Sequence, residues 1–313
     1  MTLTQLEYLI AVERLGNFSE AAKNCFVTQP TLSMQIKKLE DELGVVIFKR
    51  GKQPVEPTEI GKKILQQAKQ ILKEKERLHI LLQMERGEYI GSLRVAVIPT
   101  ISSYLLPLIL SNFVRRYPDV ELIIDEVTTD EVINGLEKGI FDLGIIALRS
   151  THDTLLSETL YYEPFVAFLP PGHKLLAKER LNQKDLDVSD FLLLKEGHCL
   201  REQTLLVCKS NGHESKEKSC RIVFESGNLE TLIKLVDQNF GMTLVPYLAL
   251  QYLKDKRKLN QIREFNPPVP KREVGFVYLP TFIKTHLLQA LKEEILKAVP
   301  AELLKDNGGL IVH

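Results

Sequence analysis

Cysteines stand at positions 25, 199, 208 and 220, and the neighbours of one of them suit reactive-thiol chemistry. Cys199 closes the run Gly197-His198-Cys199, and Leu200–Ser210 reads as a short helix stopped by Asn211-Gly212. Cys199 is therefore expected at or just before a helix N-terminus, where unpaired N–H groups favour a negatively charged sulfur. His198 and Arg201 lie beside it in the sequence and can add positive charge. Cys208 follows Leu205-Leu206-Val207, so it is also a candidate core residue, because a cysteine in a helix commonly serves as a small buried hydrophobe. Cys25 is expected to pack on the apolar side of its helix, and Cys220, beside Ser219 and Arg221, to be an inert extra thiol. A zinc set of His198, Cys199, Cys208 and His213 would have adjacent ligands and fits no common zinc spacing. No metal and no other cofactor is expected.

A second constellation lies near the N-terminus. Thr28-Gln29-Pro30 starts a helix, with Thr28 or Gln29 as cap and Pro30 in the first turn, and the helix runs to about Leu43 with Gly44 as its stop. Leu32, Ile36, Leu39 and Leu43 share one stripe that should face a core. The opposite face carries Pro30, Met34, Lys37 and Asp41, flanked by Thr31, Ser33 and Lys38. Hydroxyls and bases near a helix N-terminus suit phosphates and base edges in a major groove. The alternative at this point is the solvated face of an ordinary helical bundle.

The elements that must position these groups follow from periodicity. Leu3, Leu6, Leu9, Ile10 and Val12 repeat at helical spacing up to Gly16-Asn17, and Ser19 is the expected cap of a short helix through Ala21, Ala22 and Cys25. Two short helices closely joined fit a helix-turn-helix. Val45–Phe48 reads as a short strand leading to a turn with Lys49, Arg50 and Lys52, the wing of a winged helix that can reach backbone phosphate. Thr58 caps a long helix to about Gly87, on which Ile64, Ile71 and Leu78 recur every seven residues with Ala68 and Leu82 between, a seam suited to pairing with a second copy although Lys75 interrupts it.

From Ser92 the pattern changes to strands at Leu93–Ile98, Leu122–Glu126, Asp142–Leu148, Phe165–Leu169, Phe191–Leu194, Arg221–Phe224, Met242–Val245 and Val274–Leu279. Helices fall between them, among others at Tyr104–Tyr117, Glu131–Lys138 and Leu287–Leu296. This is an α/β region with a mainly parallel sheet, long enough for two lobes. The expected division is a winged helix-turn-helix over 1–60, a linker and dimerisation helix over 61–90, a two-lobed domain over 91–300 and a frayed tail over 301–313.

Composition fits a soluble globular protein: 313 residues, 44% hydrophobic and 26% charged, with 41 basic against 41 acidic side chains. Bases and acids are close to balanced in both halves, so placement of charge and not its total must decide any nucleic-acid contact. No apolar run is long enough for a membrane span, and Met1-Thr2-Leu3-Thr4-Gln5 lacks the basic and small-residue pattern of a secretory signal. A cytoplasmic location is expected.

The order of elements resembles the LysR-type transcriptional regulators: winged helix-turn-helix, linker helix, then a two-lobed domain like the periplasmic binding proteins. The matching residues are Phe18-Ser19-Glu20-Ala21-Ala22, Thr28-Gln29-Pro30-Thr31-Leu32-Ser33, Ile36-Lys37-Lys38-Leu39-Glu40-Asp41-Glu42-Leu43-Gly44, Phe48-Lys49-Arg50 and Thr58-Glu59-Ile60-Gly61. Met34 and the wing segment Gln53-Pro54-Val55-Glu56-Pro57 depart from the pattern. The resemblance continues, through Ile98-Pro99-Thr100, Tyr104-Leu105-Leu106-Pro107, Glu196-Gly197-His198-Cys199-Leu200-Arg201, Cys208, Leu229-Glu230-Thr231-Leu232 and Gly241–Pro246, to the hydrogen-peroxide-sensing OxyR subgroup.

The resemblance implies a regulator, not an enzyme, that binds double-stranded promoter DNA through Thr28, Gln29, Pro30, Thr31, Ser33, Lys37, Lys38 and Arg50. It implies a peroxidatic Cys199, a resolving Cys208, and a peroxide pocket of Thr100 and Thr129 joined by His198 and Arg201. Implied partners are further copies of the chain (dimer or tetramer), RNA polymerase, and glutaredoxin or thioredoxin as reductant. On a helix, the spacing of the two cysteines puts them on opposite faces with about 13.5 Å of rise, whereas a disulfide needs Cα atoms within about 4.4–6.8 Å. Oxidation must therefore rebuild the segment. Closing the loop removes roughly 2.7 kcal/mol of chain entropy, comparable to the roughly 1.5–3 kcal/mol from burying each of Leu205, Leu206 and Val207. The alternative reading keeps the DNA-binding half and makes the interlobe cleft a metabolite receptor with incidental cysteines.

Overall fold

The structure is a computed structural model that describes residues 1–49, 54–148, 154–209, 226–253 and 256–312. The chain divides into two compact units, Met1–Glu88 and Tyr89–His313.

The first unit is helical. α1 spans Leu3–Leu15, α2 Phe18–Asn24, α3 Gln29–Leu43 and α4 Glu59–Glu85. Each start is fixed by a side chain accepting from the first turn: Thr2 in a capping box with Gln5, Asn17, Thr28 and Thr58. The cap of α2 is Asn17 and not Ser19, because Asn17 Oδ1 accepts from both Ser19 N and Glu20 N. Gly16 and Gly44 end α1 and α3. Leu6, Leu9, Val12, Ala21, Ala22, Leu32, Ile36, Leu39, Phe48, Leu65 and Ala68 form one core. The buried Glu40 carboxylate accepts from Ile47 N at 2.7 Å and Phe48 N at 3.3 Å, tying α3 to the wing. Val45–Phe48 is not a strand; among the described residues its ladder contact is the antiparallel bridge Phe48–Pro57. Gly61 is required sterically, since a Cβ there would stand 2.2 Å from the Ile47 carbonyl oxygen. On α4, Leu65 and Ala68 are buried, while Ile71, Leu78 and Leu82 of the heptad seam are exposed.

The second unit is α/β. In chain order it contains β1 (Gly91–Val97), α5 (Pro99–Arg116), β2 (Val120–Glu126), α6 (Thr129–Glu137), β3 (Leu143–Ala147), β4 (Leu156–Phe168), β5 (Arg180–Leu181), α7 (Cys199–Lys209) and α8 (Leu229–Asp237). There follow β6 (Thr243–Pro246), α9 (Lys256–Leu259), β7 (Ile262–Phe265), β8 (Pro270–Tyr278), α10 (Thr285–Ala298) and β9 (Leu310–Ile311). The strand order is β2-β1-β3-β8-β4-β7-β5, with β6 on β4 and β9 on β8.

Two lobes arise because β4 belongs to both. Its residues Leu156–Pro164 pair with β8 and its end, Phe165–Phe168, pairs with β6. The chain leaves the first lobe along β4 and returns along β8. The sheet is mixed, not mainly parallel: β1 runs parallel to β2 and β3, but β3–β8, β4–β8, β4–β6 and β4–β7 are antiparallel. A strand that returns from a second lobe can enter in either direction, so no right-handed crossover enforces the parallel arrangement.

Other boundaries differ from the sequence reading. α5 begins at Pro99, several residues before Tyr104, with proline in its first turn. Phe191 and Leu194 make single bridges and no strand. Arg221–Phe224 and Cys220 lie outside the described residues. The tail is not frayed in residues 301–312: Leu310 N and Val312 N donate to Val269 O and Lys271 O, and Leu303 and Val312 enter the core. Among the described residues, no helix is long and apolar enough to cross a membrane.

Candidate functional site

β1 and β2 are adjacent and parallel, with Val97 opposite Glu126. Their C-terminal ends therefore lie together at one sheet edge, where α/β sheets hold ligands. Thr100 stands in the first turn of α5 just after β1, and Thr129 is the first residue of α6 just after β2. Both are buried. The chain arranges two hydroxyl-bearing helix starts side by side because each strand turns directly into its helix.

Cys199 reaches this edge from the second lobe. It is the first residue of α7, and its Sγ lies 2.7 Å from Thr129 Oγ1, a buried hydrogen bond between residues 70 apart in sequence. Gly197 shapes the approach with φ +89, a left-handed conformation that a side chain would strain. Arg201 donates to the Leu194 carbonyl at 2.9 Å and so fastens the first turn of α7 to the chain before it. His198 is buried, and burial lowers its pKa, helped by Lys195 and opposed by Glu126. Its ring is thus held neutral near pH 7. Among the described residues no group hydrogen-bonds its Nε2, which lies 3.4 Å from the place a Cβ would take on Gly227.

Thr100 joins a different partner. Arg272 donates to Thr100 Oγ1 and to the Thr100 carbonyl, both at 2.9 Å. The same guanidinium donates to Glu163 Oε2 through Nε at 2.9 Å and a terminal nitrogen at 2.7 Å, and Glu163 Oε1 accepts from Leu248 N at 2.9 Å. Arg272 and Glu163 are directly opposite on β8 and β4, and both are almost wholly buried. A buried ion pair holds together only when its remaining donors and lone pairs are satisfied, which Thr100 and Leu248 accomplish. Sequence reasoning missed this pair. The available signal was Glu163 and Arg272 standing among apolar and aromatic strand residues, where an unpaired charge is costly.

Cys208 sits near the other end of α7, buried, with its thiol pushed up to about 12 by burial and then by Asp187. Both cysteines therefore occupy one unbroken helix as thiols. Of the apolar residues before Cys208, only Val207 is fully buried; Leu205 is half-buried and Leu206 is 46% exposed. Buried Gln203, midway along α7, donates through Nε2 to the Val312 carbonyl at 3.0 Å. Cys25 is half-buried against the first core, as expected. Among the described residues no group of three or more metal-binding side chains is present; His213 lies outside them.

In the first unit Thr28 Oγ1 accepts from Thr31 N at 3.4 Å and lies 2.8 Å from Thr31 Oγ1. Gln29, Pro30, Met34, Lys37 and Lys38 are exposed on α3, and Ser33 is half-buried. Lys49 pairs with Glu56 at 3.3 Å across the wing arms. Arg50 lies outside the described residues.

The chain matches known proteins along most of its length. Residues 3–62 match the bacterial regulatory helix-turn-helix of the LysR family, and residues 86–300 match the LysR substrate binding domain. The hydrogen peroxide-inducible genes activator of Haemophilus influenzae is 33% identical over 280 residues, 90% of this chain and 91% of that one. The structure of a full-length cysteine-to-aspartate variant of OxyR from Pseudomonas aeruginosa is 33% identical, covers 96% of this chain and 99% of its own, and superposes with a TM-score of 0.73. A hydrogen-peroxide-bound cysteine-to-serine variant of OxyR from Corynebacterium glutamicum is 29% identical, with a TM-score of 0.61 over 95% of this chain and 92% of its own. With both LysR modules in order and this likeness along nearly the whole chain, the protein belongs to the LysR family of DNA-binding transcriptional regulators, in its OxyR branch.

Proposed function

We propose that the chain is a cytoplasmic, hydrogen-peroxide-responsive transcriptional activator switched by a reversible disulfide between Cys199 and Cys208. The observation that carries this reading is the buried hydrogen bond of Cys199 Sγ to Thr129 Oγ1 at the start of α7. The Cys199 thiolate attacks one peroxide oxygen: an S–O bond forms, the O–O bond breaks, and the departing hydroxide takes a proton to become water. Thr129 and Thr100 supply hydroxyls for a small neutral oxidant, neutral His198 borders the thiol, and Arg201 positions the turn that carries it. Cys208 then attacks the sulfenic sulfur; the S–S bond forms and water leaves. Glutaredoxin or thioredoxin reverses the bond by thiol exchange.

The signal is the loss of α7, because its two ends cannot meet while it stays helical. α3, with Thr28, Gln29, Pro30, Thr31, Ser33, Lys37 and Lys38, enters the major groove of promoter DNA, and Arg50 adds a phosphate contact. The exposed Ile71, Leu78 and Leu82 of α4 pair with a second copy, dimers associate as tetramers, and RNA polymerase receives the output. The metabolite-receptor alternative is less favoured. It gives no role to the buried hydrogen bond between Cys199 and Thr129, and Ser102 in the first turns of α5 is already engaged by Glu126 of the chain itself.

Mass-spectrometric thiol mapping before and after a brief peroxide pulse tests the proposal. The expected result is a Cys199–Cys208 linked peptide in the wild type, together with a changed DNA footprint that Cys199→Ser abolishes. A footprint identical in both redox states, with no linked peptide, would overturn it.

A further inference from the structure

The turn between α2 and α3 holds Phe26 at φ +56, in the left-handed region, with its side chain 96% exposed. That backbone is disfavoured for a bulky residue. The other described non-glycine residue in this region is Asn239, a type that tolerates it. The turn needs this shape, since Phe26 N and Val27 N donate back to Lys23 O and Ala22 O. It does not need a phenyl ring, which gains almost no packing in return. Phe18 shows the contrast: its ring packs edge-on against Phe48 within the core of the unit. Met34, on the helix that follows this turn, is likewise exposed, at 61%. It stands one helical turn after Pro30 and one before Lys37 and Lys38, at the centre of the outward face of α3.

We propose that Phe26 and Met34 are apolar contacts to duplex DNA, Met34 with thymine C5-methyl groups in the major groove and Phe26 with deoxyribose at the groove edge. This rests on the reading that α3 is the recognition helix. The occupant follows from continuity with that interface: exposed Gln29 lies three residues after Phe26, and exposed Lys37 and Lys38 lie one helical turn after Met34. Thymine is the one base that presents a methyl group in the major groove, and methionine can meet it without leaving a polar group unpaired. Sugar contacts, in contrast, carry no base preference.

The test uses the full-length chain, a duplex selected from a random pool for tight binding, its uracil-for-thymine versions, and one fixed salt concentration. Uracil at the contacted positions should weaken wild-type binding about fourfold per methyl lost. Met34→Ala should bind thymine and uracil duplexes alike. Phe26→Asn should weaken binding to selected and random duplexes by a similar factor, about three- to tenfold, yet raise the melting temperature of the N-terminal unit by about 4–8 °C. A structural role for Phe26 predicts the reverse, a lower melting temperature with affinity retained. Neutral uracil substitution at every position, or continued discrimination by Met34→Ala, overturns the Met34 contact. A Phe26→Asn chain that binds as wild type overturns the other. A wild-type chain that binds no duplex refutes the recognition-helix reading itself.

Discussion

Leu206→Gly should speed formation of the proposed Cys199–Cys208 disulfide, because in the proposed switch opening of α7 and not the chemistry at Cys208 sets its pace. Leu206 is 46% exposed and lies two residues before Cys208, away from the residues that contact Cys199. A glycine inside a helix is roughly 1 kcal/mol less favourable than a good helix former, and losing the covered half of the side chain adds about 1 kcal/mol more. The opened population should rise about 5- to 30-fold. Attack from the closed helix is negligible by comparison: Cys208 is 4% exposed and its thiol is pushed up to about 12. At about pH 7.5 its thiolate fraction is roughly a thousandth of that of a thiol titrating near 9. The assay is a quenched peroxide pulse followed by alkylation and mass spectrometry, with loss of free Cys199 and growth of the linked peptide followed separately. Loss of Cys199 should keep its wild-type rate while linkage accelerates. A linkage rate that is unchanged or slower would refute the claim that the helix is the gate.

Other consequences follow from the same site. Thr129→Val keeps the shape but removes the hydrogen bond to Cys199, so the rate of Cys199 with peroxide should fall about fivefold, in line with roughly 1 kcal/mol for such a bond. Arg272→Met leaves Glu163 buried without its cation and should destabilise the second unit by about 3–5 kcal/mol in urea unfolding, with part recovered by adding Glu163→Gln. The folded thiol of Cys208 titrates near 12 against an ordinary value of 9.0. Its stabilising contribution is therefore complete below about pH 9 and lost as pH rises towards 12. Wild type should lose more stability between pH 8 and pH 10 than Cys208→Ala; equal slopes would show that the burial of this thiol has no energetic role.

What was legible in the sequence is what local chemistry determines. Thr28, Pro30 and Gly44 defined α3 because caps and stops act within one turn, and the position of Cys199 at the start of α7 followed from the Gly197-His198 run before it and the short helical stretch ahead of Asn211-Gly212. Thr129 beside Cys199 came from the family likeness, not from spacing, since the two are 70 residues apart. Arg272 and Glu163 are 109 residues apart, and only the register of β8 on β4 makes them neighbours. The same non-local pairing made the sheet mixed where alternating strands and helices read as parallel. Asn17 displaced Ser19 as cap because both types suit the role, and only backbone geometry distinguishes them. Phe26 gave no sequence signal at all, as its interest lies in a dihedral angle.

Residues 310–312 are bound into the fold. Val312 lends its carbonyl to Gln203 on α7, and its amide completes a ladder contact with the strand carrying Arg272. One short segment thus ties the middle of α7 to the strand that holds the buried ion pair. A substitution at Gln203 that removes its amide deprives the Val312 carbonyl of this donor, so its effect should reach β9 as well as α7.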